Sequence, residues 1–482
     1  MQALNFIKSR MGKNLMGSDG CHQSTSEVMY IGANGYAGKG TFAHGIHPPH
    51  RKKFSKSAEI RFMPTPDKVV LSLHQNIGGP CEQLVKPRQK VDWGELIGKG
   101  KIFVSTTLHA SVPGVVQRPT RVTLANGRHM DTVPIKTDGE IPTDQALWDE
   151  IFGGDWPTTG LDAYDPAQIS KDINDAGLVG LGGAAFPTHV KIMPNDKKPV
   201  HTLIINGCEC EPYLTSDYRL MVEAPGPIVT GALLAARSVG AERIAIGIED
   251  NKMDAVEAMQ RAARGTGIQV AVLKTKYPQG SEKHLIQAII KREVPLGGLP
   301  SDVGVAISNV GTVAAVARAV IHKKPLTHRV ISVTGGGIAR PANVLAPIGV
   351  SFGELIEFCG GLKPDAARLI AGGPMMGFAF SNPNTPVTKG TSGLTVMSRD
   401  EVELAEETTC VRCGKCVGVC PMRLVPTKIA MASRYQDVGL SRRYNIMACF
   451  ECGSCAYTCP AHIPLVQLIR AGKARVAAAA RG

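Results

Sequence analysis

The sequence has no run of 18 or more residues that is both uncharged and predominantly apolar, so it predicts no membrane span. The nearest approach, Val303 to Val320, is interrupted by Ser308, Asn309, Thr312 and Arg318 and reads as a loop followed by a buried helix. The N-terminus lacks the apolar core of a signal peptide. Leu4, Phe6, Met11 and Leu15 are interspersed with Lys8, Arg10 and Lys13, and the segment reads as a frayed tail. Cysteine is sparse before residue 410, where only Cys21, Cys81, Cys208, Cys210 and Cys359 occur. A disulfide scaffold spreads its cysteines over a whole small domain, so this layout excludes one and points to a reducing cytoplasm. Acidic residues are the scarcer charge, 41 against 54 basic, for a formal net charge of +13. From Cys410 to Gly482, eleven Lys and Arg face two Asp and Glu. That basic stretch has no aromatic interleaving, which argues against nucleic acid as a partner.

A hydrophobic fraction of 43% rules out global disorder, and 482 residues suggest three or four domains. Residues 1–40 are irregular. From Val69 to about Val122, short apolar runs broken by Gly and Pro predict a small barrel or sandwich. Between Pro199 and Ile321 the pattern alternates. Strands are expected at Leu203–Ile205, Ile244–Ile248 and Val270–Leu273, and helices at Ile228–Val239, Met253–Ala263 and Glu282–Arg292. Alternation of this kind predicts an α/β layer with a parallel sheet. Another strand-rich piece runs from Val330 to about Val396, and helix formers dominate beyond Ser398.

The remaining eight cysteines form two runs, CVRCGKCVGVCP at 410–421 and CFECGSCAYTCP at 449–460. Both have the spacing C-x2-C-x2-C-x3-C-P of two-cluster ferredoxins, in which the fourth cysteine serves the other cluster. That rule assigns Cys410, Cys413, Cys416 and Cys459 to one [4Fe-4S] cluster, and Cys449, Cys452, Cys455 and Cys420 to a second. Two zinc sites are the alternative, but a triple run closed by Cys-Pro and occurring twice fits zinc poorly. Each oxidised cluster with its thiolates carries about −2, so the late basic excess partly balances its own clusters. Cys21, Cys81 and Cys359 read as small buried residues.

Two further segments carry chemistry. GLGGAAFPT at 180–188 lets backbone approach a ligand, although it is not the G-x-G-x-x-G fingerprint. NGCECEPYLTSD at 206–217 follows the Leu203–Ile205 strand, at the end where parallel sheets bind ligands. Together with KYPQGSE at 276–282 and NVGT at 309–312, they resemble the FMN- and NADH-binding subunit of respiratory complex I. With FAHGIHPPH at 42–50, GGPMMGF at 372–378 and the paired cysteine runs, the chain from about 41 to 470 more closely resembles the RnfC (RsxC) family. That family is the peripheral subunit of the ion-translocating ferredoxin:NAD+ oxidoreductase complex.

The resemblance implies a multidomain α/β fold with small β modules. Its parts are an irregular segment at 1–40, a lipoyl-like barrel-sandwich at 41–130 and a Rossmann-like FMN- and NADH-binding domain at 131–328. A soluble-ligand-binding β-grasp domain at 329–397, a helical ferredoxin-like domain at 398–470 and a basic Ala-rich tail at 471–482 complete the chain. It also implies that Gly180, Gly182, Gly183 and Lys191 cradle the FMN phosphate and ribityl chain. Asn206, Glu209, Tyr277, Asn309 and Thr312 then line the flavin, and Phe186, Glu211 and Glu282 face the nicotinamide nucleotide. Cys208 replaces an Asp of the complex I pattern, and Ser281 and Gly311 each replace a Glu, so the flavin hydrogen bonds differ. The barrel stretch STTLHASVPG at 105–114 has no carrier lysine, and His109 reads as a packed or surface residue.

The implied cofactors are FMN and two [4Fe-4S] clusters, with NAD(H) as substrate. The implied partners are the other subunits of the membrane complex and a ferredoxin- or flavodoxin-type carrier. The expected place is peripheral, on the cytoplasmic face of the cell membrane. The competing reading is a cluster-bearing scaffold that does not itself oxidise NADH.

Overall fold

The computed structural model describes residues 37–195 and 197–480. Cys21 and nearly all of the expected N-terminal tail lie outside the described residues. Strand β1 (Ile60–Phe62) precedes a barrel of short antiparallel strands: β2 (Lys68–Ser72), β3 (Cys81–Gln83), β4 (Lys90–Val91), β5 (Leu96–Gly100), β6 (Thr107–His109), β7 (Gly114–Val116), β8 (Thr120–Thr123) and β9 (His129–Thr137). One sheet runs β2-β9-β7-β4 with β8 on β9, and the other runs β3-β5-β6. Val69, Leu71, Ile97, Val133 and Ile135 fill its centre. Because β9 pairs with β2, β7 and β8, the barrel runs past the expected boundary at 130 to Thr137. His109 is buried in it, and burial pushes its ring down to about 3.

Two helices that the sequence pattern does not foretell, α1 (Asp144–Ile151) and α2 (Pro166–Asp175), open the next domain. Asp165 caps α2 by accepting from the Gln168 amide, and Pro166 occupies its first turn. Then follow α3 (Thr188–Lys191), β10 (Thr202–Asn206), α4 (Ser216–Glu223), α5 (Pro225–Val239), β11 (Arg243–Glu249), α6 (Met253–Ala262), β12 (Gln269–Leu273), α7 (Glu282–Ile290), β13 (Val305–Asn309) and α8 (Val310–Ile321). The sheet order is β12-β11-β10-β13, with every pair parallel. The stretch read as a loop before a helix contains strand β13, which passes into α8 with no turn residue between them. Helices α5 and α8 touch backbone to backbone at Gly231, where a Cβ would sit 1.7 Å from the Val313 carbonyl oxygen.

The β-grasp unit comprises β14 (His328–Thr334), β15 (Ala342–Pro347), α9 (Phe352–Phe358), β16 (Ala366–Ala371), β17 (Phe378–Phe380) and β18 (Gly393–Ser398). Its sheet runs β1-β15-β14-β18-β16-β17. The edge strand β1, with Ile60 opposite Asn343, is borrowed from the segment assigned to the barrel. Gly335, at φ +106°, starts the turn between the antiparallel β14 and β15. The C-terminal module holds α10 (Lys415–Gly418), α11 (Pro426–Arg434), α12 (Val438–Arg443), α13 (Ser454–Tyr457) and α14 (Leu465–Ala478) around Ile429, Ile446 and Ile469. Helix α14 runs through most of the expected tail. Its Ala, Lys and Arg residues are strong helix formers, and Val476 is buried.

Candidate functional site

Asn206 and Asn309 are register partners at the carboxyl ends of β10 and β13, the edge where open α/β sheets bind ligands. Asn206 Nδ2 donates to the Gly280 carbonyl at 2.8 Å. Asn309 Oδ1 caps α8 by accepting from the Gly311 and Thr312 amides, and its Nδ2 donates to Asp217 Oδ2 at 2.6 Å. The glycine loop lies over this edge. A Cβ on Gly182 would stand 3.3 Å from that of Asn309, whereas Gly183, at φ +111°, faces open space. The Gly180 amide donates to the Phe186 carbonyl, closing the loop, and the Leu181 amide donates to Thr312 Oγ1 at 2.9 Å. Lys191, at the end of α3, pairs with Glu282, the first residue of α7. Phe186 is half-buried. An open glycine shoulder, two amide side chains and a cation suit a phosphorylated flavin.

The 206–217 loop is shaped from below by buried lysines. Lys52 Nζ donates to the carbonyls of Glu209 at 2.8 Å, Glu211 at 3.2 Å and Leu214 at 2.5 Å, and burial pushes its pKa down to about 8. Lys252 Nζ donates to the Cys208 carbonyl at 2.6 Å and pairs with Glu249 at 2.9 Å. Glu209 and Tyr213 adopt left-handed backbone, which this clamp sustains. The Glu209 carboxylate accepts from the Asp217 and Tyr218 amides at the start of α4. Burial, then the charge of Glu209, push Asp217 up to about 7. Glu211 Oε1 accepts from the amides of Met375 and Met376 at 2.7 and 3.0 Å, and burial raises its pKa. Sequence reasoning missed Lys52, Lys252 and Asp217. Lys52 is buried between exposed Arg51 and Lys53, and nothing in that local basic run separates it from its neighbours.

Cysteines from both runs come together in two places. Cys420, Cys449, Cys452 and Cys455 line one pocket, walled also by Phe450 and Ile429. Cys459 lies instead beside Cys416 and, like Cys413, opposes ionisation of that thiol. Among the described residues, no three His, Cys, Asp or Glu side chains converge on a point where a single metal ion would sit. The inner four thiols surround a volume, the arrangement a multi-iron cluster needs. The amides of Leu424 and Glu451 point at the sulfurs of Cys420 and Cys449, each at 3.4 Å. N–H···S contacts of this kind tune cluster potentials.

Tyr277 joins the two sites. It is 2% exposed, and its hydroxyl donates to the Cys452 carbonyl at 2.6 Å. Around them pack Ile46, Cys210, Met375 and Phe450. The segment 42–54 straps both halves together. Gly45 N donates to the Val419 carbonyl at 3.0 Å, Ile46 bridges to Tyr277, and Lys52 reaches the flavin-type loop.

Comparison with known families agrees with this division. An RnfC barrel sandwich hybrid domain matches residues 40–140, the Nuo51 FMN-binding domain residues 173–318, an SLBB domain residues 330–379 and a 4Fe-4S dicluster domain residues 403–460. The chain is 43% identical over 444 residues to the C-subunit of the Na(+)-translocating ferredoxin:NAD(+) oxidoreductase complex of Acetobacterium woodii, covering 92% of this chain and 98% of that one. It is 42% identical to the proton-translocating counterpart of Clostridium ljungdahlii, covering 89% and 93%. It is 40% identical to the C-subunit of the ion-translocating oxidoreductase complex of Rhodobacter capsulatus, covering 90% and 82%. A solved NAD+-reducing [NiFe]-hydrogenase chain aligns over 66% of this chain and 65% of its own at TM-score 0.47 and 19% identity, too distant to carry an argument. Built from these four modules in this order, the chain belongs to the C-subunit family of the ion-translocating ferredoxin:NAD+ oxidoreductases.

Proposed function

We propose that this chain is the electron-exchange subunit of such a complex, carrying electrons between NAD(H), FMN and two [4Fe-4S] clusters. The observation that carries this reading is the Tyr277 hydroxyl on the Cys452 carbonyl, which seats a flavin-site segment directly on the inner thiol set. Bound FMN would supply the conversion between a two-electron hydride donor and single-electron acceptors. Gly180, Gly182, Gly183 and Lys191 hold its phosphate and ribityl chain. Asn206, Asn309, Thr312 and Tyr277 line the ring, and Glu209 fixes the loop that borders it. Phe186 and Glu282 stand on the nicotinamide side. Glu211, also expected there, ties the loop to the 375–376 turn and acts as a positioning residue.

Cys410, Cys413, Cys416 and Cys459 hold the outer cluster, and Cys420, Cys449, Cys452 and Cys455 the inner one. The partners are the remaining subunits of the complex and a ferredoxin- or flavodoxin-type carrier. No helix among the described residues is long and apolar enough to cross a membrane, which fits peripheral attachment, and we place the chain on the cytoplasmic face. The test is to load the full chain with FMN and clusters and add NADH anaerobically. Bleaching of the flavin absorbance followed by a reduced-cluster resonance is expected. Flavin-loaded protein that does not bleach would leave only the scaffold reading.

A further inference from the structure

A loop of the barrel lies against the glycine loop. The Ile77 amide donates to the Ala185 carbonyl at 3.0 Å, which ties this barrel loop to the glycine loop. Two barrel loops are knitted together. Gly79 N donates to the Val104 carbonyl at 2.9 Å, and the Ile102 side chain lies over Gly79, where a Cβ would meet it at 2.8 Å. This backbone is fixed, but the side chains of Ile77, Ile102 and Phe103 are 51%, 58% and 64% exposed. Beneath the same edge, Asn76 is 7% exposed. Its Nδ2 donates to the Ile77 and Gly79 carbonyls, and its Oδ1 is buried without a partner. A rigid apolar edge beside a nucleotide loop fits a heteroaromatic ring better than bare solvent.

We propose that this barrel edge is the outer wall of the dinucleotide site and that Phe103 stacks on the adenine ring of NAD(H). The inference rests on reading the 180–188 loop as part of the nucleotide site, and it gives the barrel a substrate-selecting role. Phe103 lies outside the sheets, so its replacement leaves the core intact.

The test uses the full, cofactor-loaded chain with ferricyanide as acceptor and two donors, NADH and reduced nicotinamide mononucleotide, which lacks the adenylate. The ratio of their kcat/KM values is expected to fall about tenfold in Phe103→Ala, within the range that base–aromatic stacking supports. Phe103→Tyr restores it. Calorimetric affinity for ADP-ribose, which reports no turnover, is expected to weaken by the same factor. An unchanged ratio with unchanged ADP-ribose affinity would overturn the proposal. If neither donor bleaches the flavin in the unaltered chain, the nucleotide-site reading itself fails, and the wall with it.

Discussion

The two cysteine runs have the same spacing and meet opposite surroundings. Arg412 and Glu451 occupy equivalent positions in them, both in left-handed backbone, as do Gly414 and Gly453. The short helices α10 and α13 follow at the same offset. Around the first run, Cys410 and Cys413 are exposed, Arg412 is exposed, and Gly414 has nothing within 4 Å of where a Cβ would stand. Around the second, Cys452 and Cys455 are buried, Glu451 pairs with Arg470 at 3.0 Å and Lys473 at 2.5 Å, and Gly453 abuts the Met375 carbonyl. Ligand spacing decides that a cluster forms. What packs outside the ligands decides which cluster faces the flavin and which faces a partner. On the proposed assignment the inner site touches Tyr277 and the outer one touches solvent, an order suited to a relay between flavin and surface.

The harshest way to break this comparison is to remove one crossing ligand at a time. Cys420→Ser is expected to cost the inner cluster and Cys459→Ser the outer, each lowering iron from about eight to about four per chain. Electron paramagnetic resonance identifies which signal survives, and loss of the outer signal in Cys420→Ser would refute the crossed assignment. A milder break uses the glycines. Gly414→Ala incurs left-handed backbone strain of about 1–2 kcal/mol, whereas Gly453→Ala adds a collision 2.7 Å from the Met375 oxygen and should cost about twice as much in chemical denaturation. Equal costs would mean that the inner run is not walled in.

Smaller still is Glu451→Gln. Burial opposes ionised Glu451, but Lys473 and Arg470 outweigh it and hold the carboxylate below its usual range. With a folded pKa below the unfolded one, its stabilisation is present above about pH 4.5 and fades as pH falls through the lowered value. The substitution should therefore cost about 1 kcal/mol at pH 7 and progressively less as pH falls below about 4.5, read from denaturation midpoints. The corresponding outer change, Arg412→Gln, should leave stability within about 0.5 kcal/mol at either pH. Least of all, charge reversal at exposed Lys415 should slow electron exit to an acidic carrier a few-fold at low salt, with the difference vanishing at high salt.

Much of this was legible in the sequence where signals are local. The expected strands at Leu203–Ile205, Ile244–Ile248 and Val270–Leu273 lie inside β10, β11 and β12, because short apolar runs bounded by breakers have few alternatives. Strand β13 was hidden because Asn309 both ends the strand and caps α8, so no turn residue marks the junction. Strand β1 was hidden for a different reason: it pairs with a partner more than 280 residues away, and no local pattern records that. The same holds at the site. The residue types in NGCECEP marked a functional loop. That Lys52 clamps its carbonyls and that Glu211 anchors the 375–376 turn are tertiary facts, since charged side chains are buried only where backbone from elsewhere satisfies them.

The central claim is that electrons pass between flavin and outer cluster through the inner one. The most direct test is anaerobic NADH reduction of the single cluster left in Cys459→Ser and in Cys420→Ser, followed by electron paramagnetic resonance with dithionite as the control. The relay predicts that NADH reduces the remaining inner cluster in Cys459→Ser, while the outer cluster left in Cys420→Ser responds to dithionite but not to NADH. Reduction of that outer cluster by NADH at the rate of the unaltered chain would contradict it.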